Sequence, residues 1–152
     1  MLQAGDTAPA FELTADTGDV VRLEDLRGKR VIVYFYPKAD TPGCTKQACA
    51  IQDLGPQIED AGVTVVGISP DSPEKLAKFR LKYGLEFLLL SDPDHRTAEA
   101  YGAWGEKSMY GKKYEGIIRS HAAIDESGKI VAIKNKVKPL ETAELWEIWK
   151  AH

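Results

Sequence analysis

Cys44 and Cys49 are the residues whose type and spacing best suit covalent chemistry. They are the two cysteines among 152 residues, too few for a disulfide scaffold or a four-cysteine zinc site. They stand five positions apart, and in a reducing compartment so close a pair indicates chemistry rather than a structural bridge. Because the reactive form of cysteine is the thiolate, the surrounding residues must stabilise an anion.

The position of Cys44 favours such an anion. It follows Thr41-Pro42-Gly43 and falls in the first turn of a predicted helix, where free N–H groups and the helix dipole attract negative charge. Lowering the pKa of a free thiol from ~8.5 to ~6 requires about 3.4 kcal/mol. A helix terminus rarely supplies more than ~2 kcal/mol. We therefore expect a cationic side chain nearby, which spacing alone does not identify.

The spacing from Cys44 to Cys49 predicts a disulfide that forms and is then reversed. In an intact helix, residues five apart lie on nearly opposite faces with Cα atoms roughly 8–9 Å apart. A disulfide needs less than about 7 Å, so the two sulfurs join only if the first turns unwind. This spacing also argues against a CxxC dithiol oxidoreductase, in which both cysteines share one turn.

Predicted strands and helices alternate around the cysteine segment. Apolar runs predict buried strands at residues 31–36, 63–69 and 87–90, and turn residues predict hairpins around residues 16–18 and 126–128. Spacing and end signals predict helices at residues 72–84, 96–103 and 139–150. A further helix over residues 45–60 contains Gly55-Pro56, and because proline in a helix interior costs about 3 kcal/mol we expect a break there.

This order predicts an α/β fold with a central mixed β-sheet flanked by helices and an N-terminal β-hairpin. A right-handed crossover makes the first two core strands parallel. The cysteine segment then lies at the carboxyl edge of the sheet, where open α/β sheets bind ligands. The length predicts a single domain over residues 1–152.

Composition and charge exclude several classes of protein. Hydrophobic residues make up 43% and charged residues 28%, which excludes a disordered chain. The net charge of -3 provides no basic excess for phosphates, so we expect no nucleic-acid partner. The apolar runs are far shorter than the ~20 residues that span a bilayer, and the first residues lack the pattern of a signal peptide. We expect a cytoplasmic protein without a membrane partner.

The motif around Cys44 resembles the peroxiredoxins. Residues 37–44 read Pro-Lys-Ala-Asp-Thr-Pro-Gly-Cys, the Pro-x-x-x-Thr-x-x-Cys pattern, and Cys49 follows after four residues. The closest resemblance is to the PrxQ, or bacterioferritin comigratory protein, subfamily. The likeness continues in residues 4–11, 67–71, 90–92, 104–112 and 116–120. It implies a thioredoxin-like fold, in agreement with the predicted elements.

The resemblance also implies a role for each residue of the site. Cys44 becomes the peroxidatic cysteine and Cys49 the resolving cysteine. Thr41 hydrogen-bonds the thiolate and the peroxide, Pro37 shields the pocket from water, and Arg119 is the missing cation. The implied reaction reduces hydrogen peroxide and organic hydroperoxides without metal, haem or flavin. It passes through a sulfenic acid and a Cys44–Cys49 disulfide that a thioredoxin-like dithiol reopens. PrxQ-like proteins are commonly monomers.

Several positions depart from this pattern or leave alternatives open. Position 47 holds Gln where many peroxiredoxins carry Glu, so Gln47 keeps an acceptor without the charge. Gly55-Pro56 shortens the helical unit that must melt before the sulfurs meet. His121 shares a sheet face with Arg119, and a hydrogen-bonded core or edge histidine is favoured over one that modulates the pocket. His95 and His152 are predicted to face solvent. Trp104 is predicted to lie in a loop, where plain packing is favoured over contact with a partner.

Two other functions remain as alternatives. A copper-binding assembly protein on a similar fold also has two nearby cysteines, usually with three residues between them rather than the four found here, and a histidine ligand that only His95, His121 or His152 can provide. A general disulfide reductase would act without peroxide. Without the surrounding motif, the cysteines are equally well explained as small buried hydrophobic residues.

Overall fold

A computed structural model describes residues 1–150 of the chain. The strands are β1 (Glu12–Ala15), β2 (Val20–Arg22), β3 (Arg30–Phe35), β4 (Val63–Ser69), β5 (Leu88–Ser91), β6 (Trp104–Met109), β7 (Lys112–Ile117), β8 (Ser120–Ile124) and β9 (Ile130–Asn135). The α-helices are α1 (Pro42–Asp53), α2 (Gly55–Asp60), α3 (Pro73–Tyr83) and α4 (Arg96–Ala100). Two 3₁₀ helices occupy Leu23–Leu26 and Thr142–Trp149.

Within residues 1–150, seven strands form a central sheet in the order β2-β1-β5-β4-β3-β8-β9. β3, β4 and β5 are parallel, whereas β1 and β8 run antiparallel to their neighbours. This arrangement confirms the predicted mixed sheet, the parallel first core strands and the N-terminal hairpin of β1 and β2. No helix in this part of the chain is long and apolar enough to cross a membrane.

Strand β3 is buried on both faces and divides the hydrophobic core into two clusters. Val33 and Phe35 pack into one cluster, whereas Ile32 and Tyr34 pack into the other. They separate in this way because successive side chains of a strand point to opposite faces. The second cluster also contains Cys44 of α1. Apolar burial of roughly 1.5–3 kcal/mol per large side chain therefore holds α1 across this face of the sheet.

The helix that carries the cysteines is broken where the sequence predicts. α1 begins at Pro42, three residues earlier than expected. Proline is tolerated in the first turn because the N–H that it lacks would have no acceptor within the helix there. It ends at Asp53, and α2 begins at Gly55 with Pro56 in its first turn. Leu54 lies between the two helices with φ -95° and ψ 10°. The cysteine helix is therefore a separate unit of 12 residues.

The hairpin of β6 and β7 replaces the loop predicted around Trp104. More than half of its strand residues are exposed, and no apolar alternation reveals the strands in the sequence. Trp104 does pack, because its ring stacks on that of His95 with centroids 3.6 Å apart. His95 is half-buried, with 35% of its side chain exposed, so it faces solvent in part. His152 lies outside the described residues.

The C-terminal segment forms a 3₁₀ helix rather than the α-helix predicted over residues 139–150. The N–H groups of Glu144 and Lys150 bond to carbonyls three residues back, at Glu141 and Glu147. Trp149 is buried in the cluster that contains Cys44. The segment therefore packs beside α1.

Candidate active site

Cys44 lies in the first turn of α1, with its side chain 2% exposed. Thr41 is the N-cap residue, but its hydroxyl donates to the carbonyl oxygen of Lys38 at 2.7 Å instead of capping the helix. Pro42 has no N–H, and the N–H groups of Gly43 and Cys44 have no acceptor among residues 1–150. An anion at this turn therefore meets free donors and the positive end of the helix dipole.

Arg119 provides the cation that the sequence predicts beside Cys44. It directly precedes β8, and its Nη2 donates to the Cys44 Sγ at 3.5 Å. Its Nη1 donates to the Gln47 Oε1 at 2.5 Å, so two contacts hold the planar guanidinium. Opposite unit charges about 4 Å apart attract by roughly 4 kcal/mol near a protein surface. The guanidinium therefore stabilises negative charge on this sulfur.

The loop between β3 and α1 is held by two neighbouring elements. Asp40, with a left-handed φ of 60°, accepts hydrogen bonds from the Tyr83 hydroxyl at 2.6 Å and the Lys82 ammonium at 3.0 Å. These bonds, chiefly that from Tyr83, hold the pKa of Asp40 below its usual value. The Ala39 N–H donates to the Asp71 carboxylate at 2.7 Å. The start of α1 is therefore fixed against α3 and the segment after β4.

Lys107 brings a second cation from β6 towards Cys44. Its side chain is half-buried, and burial lowers its pKa. The neighbouring Arg119 guanidinium lowers this pKa further, whereas Cys44 opposes the shift. The β6–β7 hairpin thus contributes to the electrostatics of the site. The sequence contained a signal for this role, since residues 104–112 are one of the segments that resemble PrxQ.

Cys49 lies in the same helix as Cys44 and is more exposed. Both are free thiols, so the structure represents the reduced protein. The continuous helix keeps residues five apart beyond the reach of a disulfide, as expected. Partial burial raises the pKa of the Cys49 thiol, and the carboxylate of Asp53, one turn further along, raises it again. Cys49 is therefore mainly a protonated thiol at neutral pH.

The structure brings some of the predicted site residues together and leaves others apart. Cys44 and Arg119 are in contact, whereas the Thr41 hydroxyl is bonded to a loop carbonyl in this reduced, substrate-free state. Pro37 is half-buried at the start of the loop that leads to α1. Cys49 is one to two turns away from Cys44 along the helix.

The alternative of a copper site requires cysteines and a histidine to converge. Among residues 1–150, no three side chains of His, Cys, Asp and Glu cluster as potential metal ligands. His121 is instead buried, and its Nδ1 is hydrogen-bonded to the Thr142 hydroxyl at 2.9 Å. It is thus the satisfied core histidine that the sequence favours.

Comparisons with known proteins agree with this geometry. The model of the AhpC/TSA family matches residues 4–133. A putative peroxiredoxin of Mycobacterium tuberculosis is 58% identical over 137 residues, which cover 90% of this chain and 87% of that protein. The peroxiredoxin Bcp of Escherichia coli K12 is 55% identical over 129 residues, covering 85% and 83%.

Solved structures confirm the predicted thioredoxin-like fold. A mutant of PrxQ from Xylella fastidiosa superposes with a TM-score of 0.92 at 32% identity, covering 100% of this chain and 98% of that chain. The bacterioferritin comigratory protein of Xanthomonas campestris, studied for its alkyl peroxide reduction, superposes with a TM-score of 0.87 at 34% identity, covering 93% and 91%. The chain therefore belongs to the AhpC/TSA family and, within it, to the peroxiredoxins, which are thiol-dependent peroxidases.

Proposed function

We propose that this thiol peroxidase reduces hydrogen peroxide and organic hydroperoxides at Cys44, with Cys49 as the resolving cysteine. The observation that carries the proposal is the 3.5 Å contact between Arg119 and the Cys44 sulfur at the uncapped start of α1. The Cys44 sulfur lies at the positive end of the dipole of α1, beside the Arg119 guanidinium and the free N–H groups of the first turn. They favour the thiolate, which is the form that attacks peroxides.

In the first step the Cys44 thiolate attacks one oxygen of the peroxide. A sulfur–oxygen bond forms, the O–O bond breaks, and the second oxygen leaves with the electron pair. That oxygen takes up the proton that the thiol lost, so the products are Cys44 sulfenic acid and water or an alcohol. The Arg119 guanidinium and the N–H groups of Gly43 and Cys44 stabilise the developing negative charge without reorganising. The Thr41 hydroxyl turns from Lys38 towards the peroxide, and Pro37 keeps water from the pocket.

In the second step the thiol of Cys49 attacks the sulfenic sulfur. The Cys44–Cys49 disulfide forms, and the sulfenic oxygen leaves as water with the proton of the Cys49 thiol. The first turns of α1 must unwind for this step, because the intact helix holds the two residues too far apart. The break at Leu54 limits the unwinding to a short helix.

The cycle closes when a dithiol protein reduces the disulfide by thiol–disulfide exchange. Peroxiredoxins use peroxide substrates and thioredoxin-type reductants, and we propose thioredoxin for this chain. We also propose that it acts as a single-domain monomer over residues 1–152 in the reducing cytoplasm, without metal, haem or flavin. The proposal includes no nucleic-acid or membrane partner, in keeping with the net charge of -3.

A coupled peroxide assay with thioredoxin and thioredoxin reductase tests this function. We expect steady turnover by the wild type and none by Cys44→Ser. Cys49→Ser should consume one equivalent of peroxide and then stall with thioredoxin, yet continue with a small thiol that reaches the sulfenic acid directly. Steady turnover by Cys44→Ser would refute the assignment of the nucleophile, and thioredoxin-dependent turnover by Cys49→Ser would refute that of the resolving residue.

A further inference from the structure

A buried polar network continues from the active-site arginine into the C-terminal segment. Arg119 Nη1 donates to Gln47 Oε1 at 2.5 Å, and Gln47 Nε2 donates to Thr142 Oγ1 at 2.9 Å. Thr142 Oγ1 lies 2.9 Å from His121 Nδ1. Gln47 is 0% exposed, Thr142 1% and His121 6%. The network joins α1, β8 and the 3₁₀ helix Thr142–Trp149 beneath the reactive sulfur.

The direction of each hydrogen bond follows from the chemistry of the groups. Arginine has donors only, so Gln47 must present its oxygen to Arg119 and its NH₂ group to Thr142. The Thr142 oxygen accepts from Gln47, and its single hydrogen points to His121 Nδ1. His121 is then the neutral tautomer with its proton on Nε2. Burial supports this state because it lowers the pKa of His121 to about 4, against a smaller opposing effect of Glu141.

The opposite orientation of the Gln47 amide is unfavourable at its Arg119 end, whereas the Thr142 hydroxyl can pair with either end of the amide. Its NH₂ group would face the donors of Arg119, and its oxygen would face Thr142. Water is excluded from Gln47 and would not replace the lost bond. A buried polar group without a partner costs about 1–3 kcal/mol. Arg119 therefore decides which end of the amide meets it, and the Thr142 hydroxyl holds the opposite, NH₂ end in place.

We infer that Thr142 and His121 are positioning residues, which anchor the NH₂ end of the Gln47 amide and thereby hold the Arg119 guanidinium against the Cys44 sulfur. Neither residue touches the sulfur, and both act through Gln47. This inference rests on the proposed role of Cys44 as the attacking thiolate. It makes the 3₁₀ helix at the C-terminal end a part of the catalytic apparatus.

Thr142→Val tests the inference, because it keeps the shape of threonine and removes the hydroxyl. We expect sulfenic acid formation to slow about tenfold, a loss of about 1.4 kcal/mol. Alkylation of Cys44 by iodoacetamide should also need a higher pH, because a loosened Arg119 stabilises the thiolate less. Thr142→Ser should restore both properties. Thr97→Val, which removes a buried hydroxyl of α4 outside the network, should leave both unchanged.

The histidine provides an independent variant. His121→Leu removes the acceptor and should resemble Thr142→Val, whereas the side-chain oxygen of His121→Asn can replace Nδ1 and should recover most of the activity. Nitrogen NMR of the wild type adds a measurement that needs no variant. We expect Nδ1 to be the unprotonated ring nitrogen at neutral pH, and a proton on Nδ1 would overturn the inferred direction of the network.

The alkylation profile separates failure of this inference from failure of the proposed function. It reports the environment of Cys44 without any peroxide. If a folded Thr142→Val protein has the wild-type profile, the positioning role is refuted. If the profile shifts while the wild type reduces no peroxide, the positioning role stands and the proposed function is wrong.

Discussion

Arg119 Nη2 lies 3.1 Å from the point where a Cβ on Gly43 would stand. A side chain at position 43 would therefore push the guanidinium away by a few tenths of an ångström, and the glycine permits its close contact with Cys44. Glycine matters here because it has no side chain and not because of its backbone freedom, since the φ of Gly43 is not in the left-handed region. Glycine within a helical turn normally costs about 1 kcal/mol relative to alanine. At position 43 this cost is offset because the Arg119 guanidinium can approach the Cys44 sulfur.

Gly43→Ala should displace Arg119 by a few tenths of an ångström and slow sulfenic acid formation about three- to tenfold. Its thermal stability should not fall, since alanine favours the helix. Stopped-flow measurement of the reaction with peroxide checks the rate. Gly55→Ala is the matched control, because its Cβ would meet only the far end of Gln52 at 3.8 Å. Equal rates for the wild type and Gly43→Ala would contradict the steric argument.

Asp53→Asn should accelerate disulfide formation about 1.5-fold at neutral pH. Burial is the main cause that raises the pKa of the Cys49 thiol, and the Asp53 carboxylate raises it further. Removal of this carboxylate therefore increases the thiolate fraction of Cys49. The gain is small because nucleophilicity falls as the thiol pKa falls. Rapid quenching after one equivalent of peroxide, with a count of the remaining thiols, measures the rate. Asp60→Asn in α2 serves as the control, and slower closure in Asp53→Asn would contradict the prediction.

Replacement of both Gly55 and Pro56 by alanine should fuse α1 with α2 and slow disulfide formation several-fold. The longer helix resists the unwinding that brings the two sulfurs together. Formation of the sulfenic acid should keep its wild-type rate, because the first turn of α1 is unchanged. The two steps are resolved by following the sulfenic acid and the disulfide separately by mass spectrometry. An unchanged rate of disulfide formation would remove the break from the mechanism.

The free energy of unfolding should decrease as the pH is lowered, partly because of His121. Burial lowers its pKa to about 4 in the folded protein, whereas the unfolded chain binds this proton near pH 6.5. Between these values the unfolded state holds more protons, so acidification from about pH 6.5 to 4 destabilises the fold. The charges nearest to this imidazole, Glu141 and Lys134, oppose each other. Urea titrations of the wild type and His121→Asn should show a shallower pH dependence for the variant, and equal slopes would contradict the assignment.

The sequence predicts well the elements whose signals are local. β4 occupies residues 63–69 as expected from its continuous apolar run. α3 begins after Ser72, whose hydroxyl oxygen accepts from the Lys75 N–H, and ends at the left-handed Gly84. The cysteine segment likewise carries its own motif. These features depend on residues that are neighbours in the chain, so pattern and structure agree.

The contacts that complete the site are not local and could not be predicted from spacing. Arg119 is 75 positions from Cys44, and Thr142 is 95 positions from Gln47. The role expected of Arg119 came from resemblance to a family, whereas Thr142 carried no signal of its own. The β6–β7 hairpin is not predictable from the sequence because its half-exposed strands, rich in lysine and glycine, lack an apolar period. Only the folded arrangement brings Lys107 towards Cys44.

The packing of Thr142–Trp149 against α1 has a practical consequence for expression of the protein as a fusion. An affinity tag or fluorescent protein fused after this segment would lie next to the 3₁₀ helix that carries Thr142. Attachment ahead of Met1, which is fully exposed, keeps the tag away from this helix. A difference in peroxide turnover between the two placements would then be an artefact of cloning rather than a property of the enzyme.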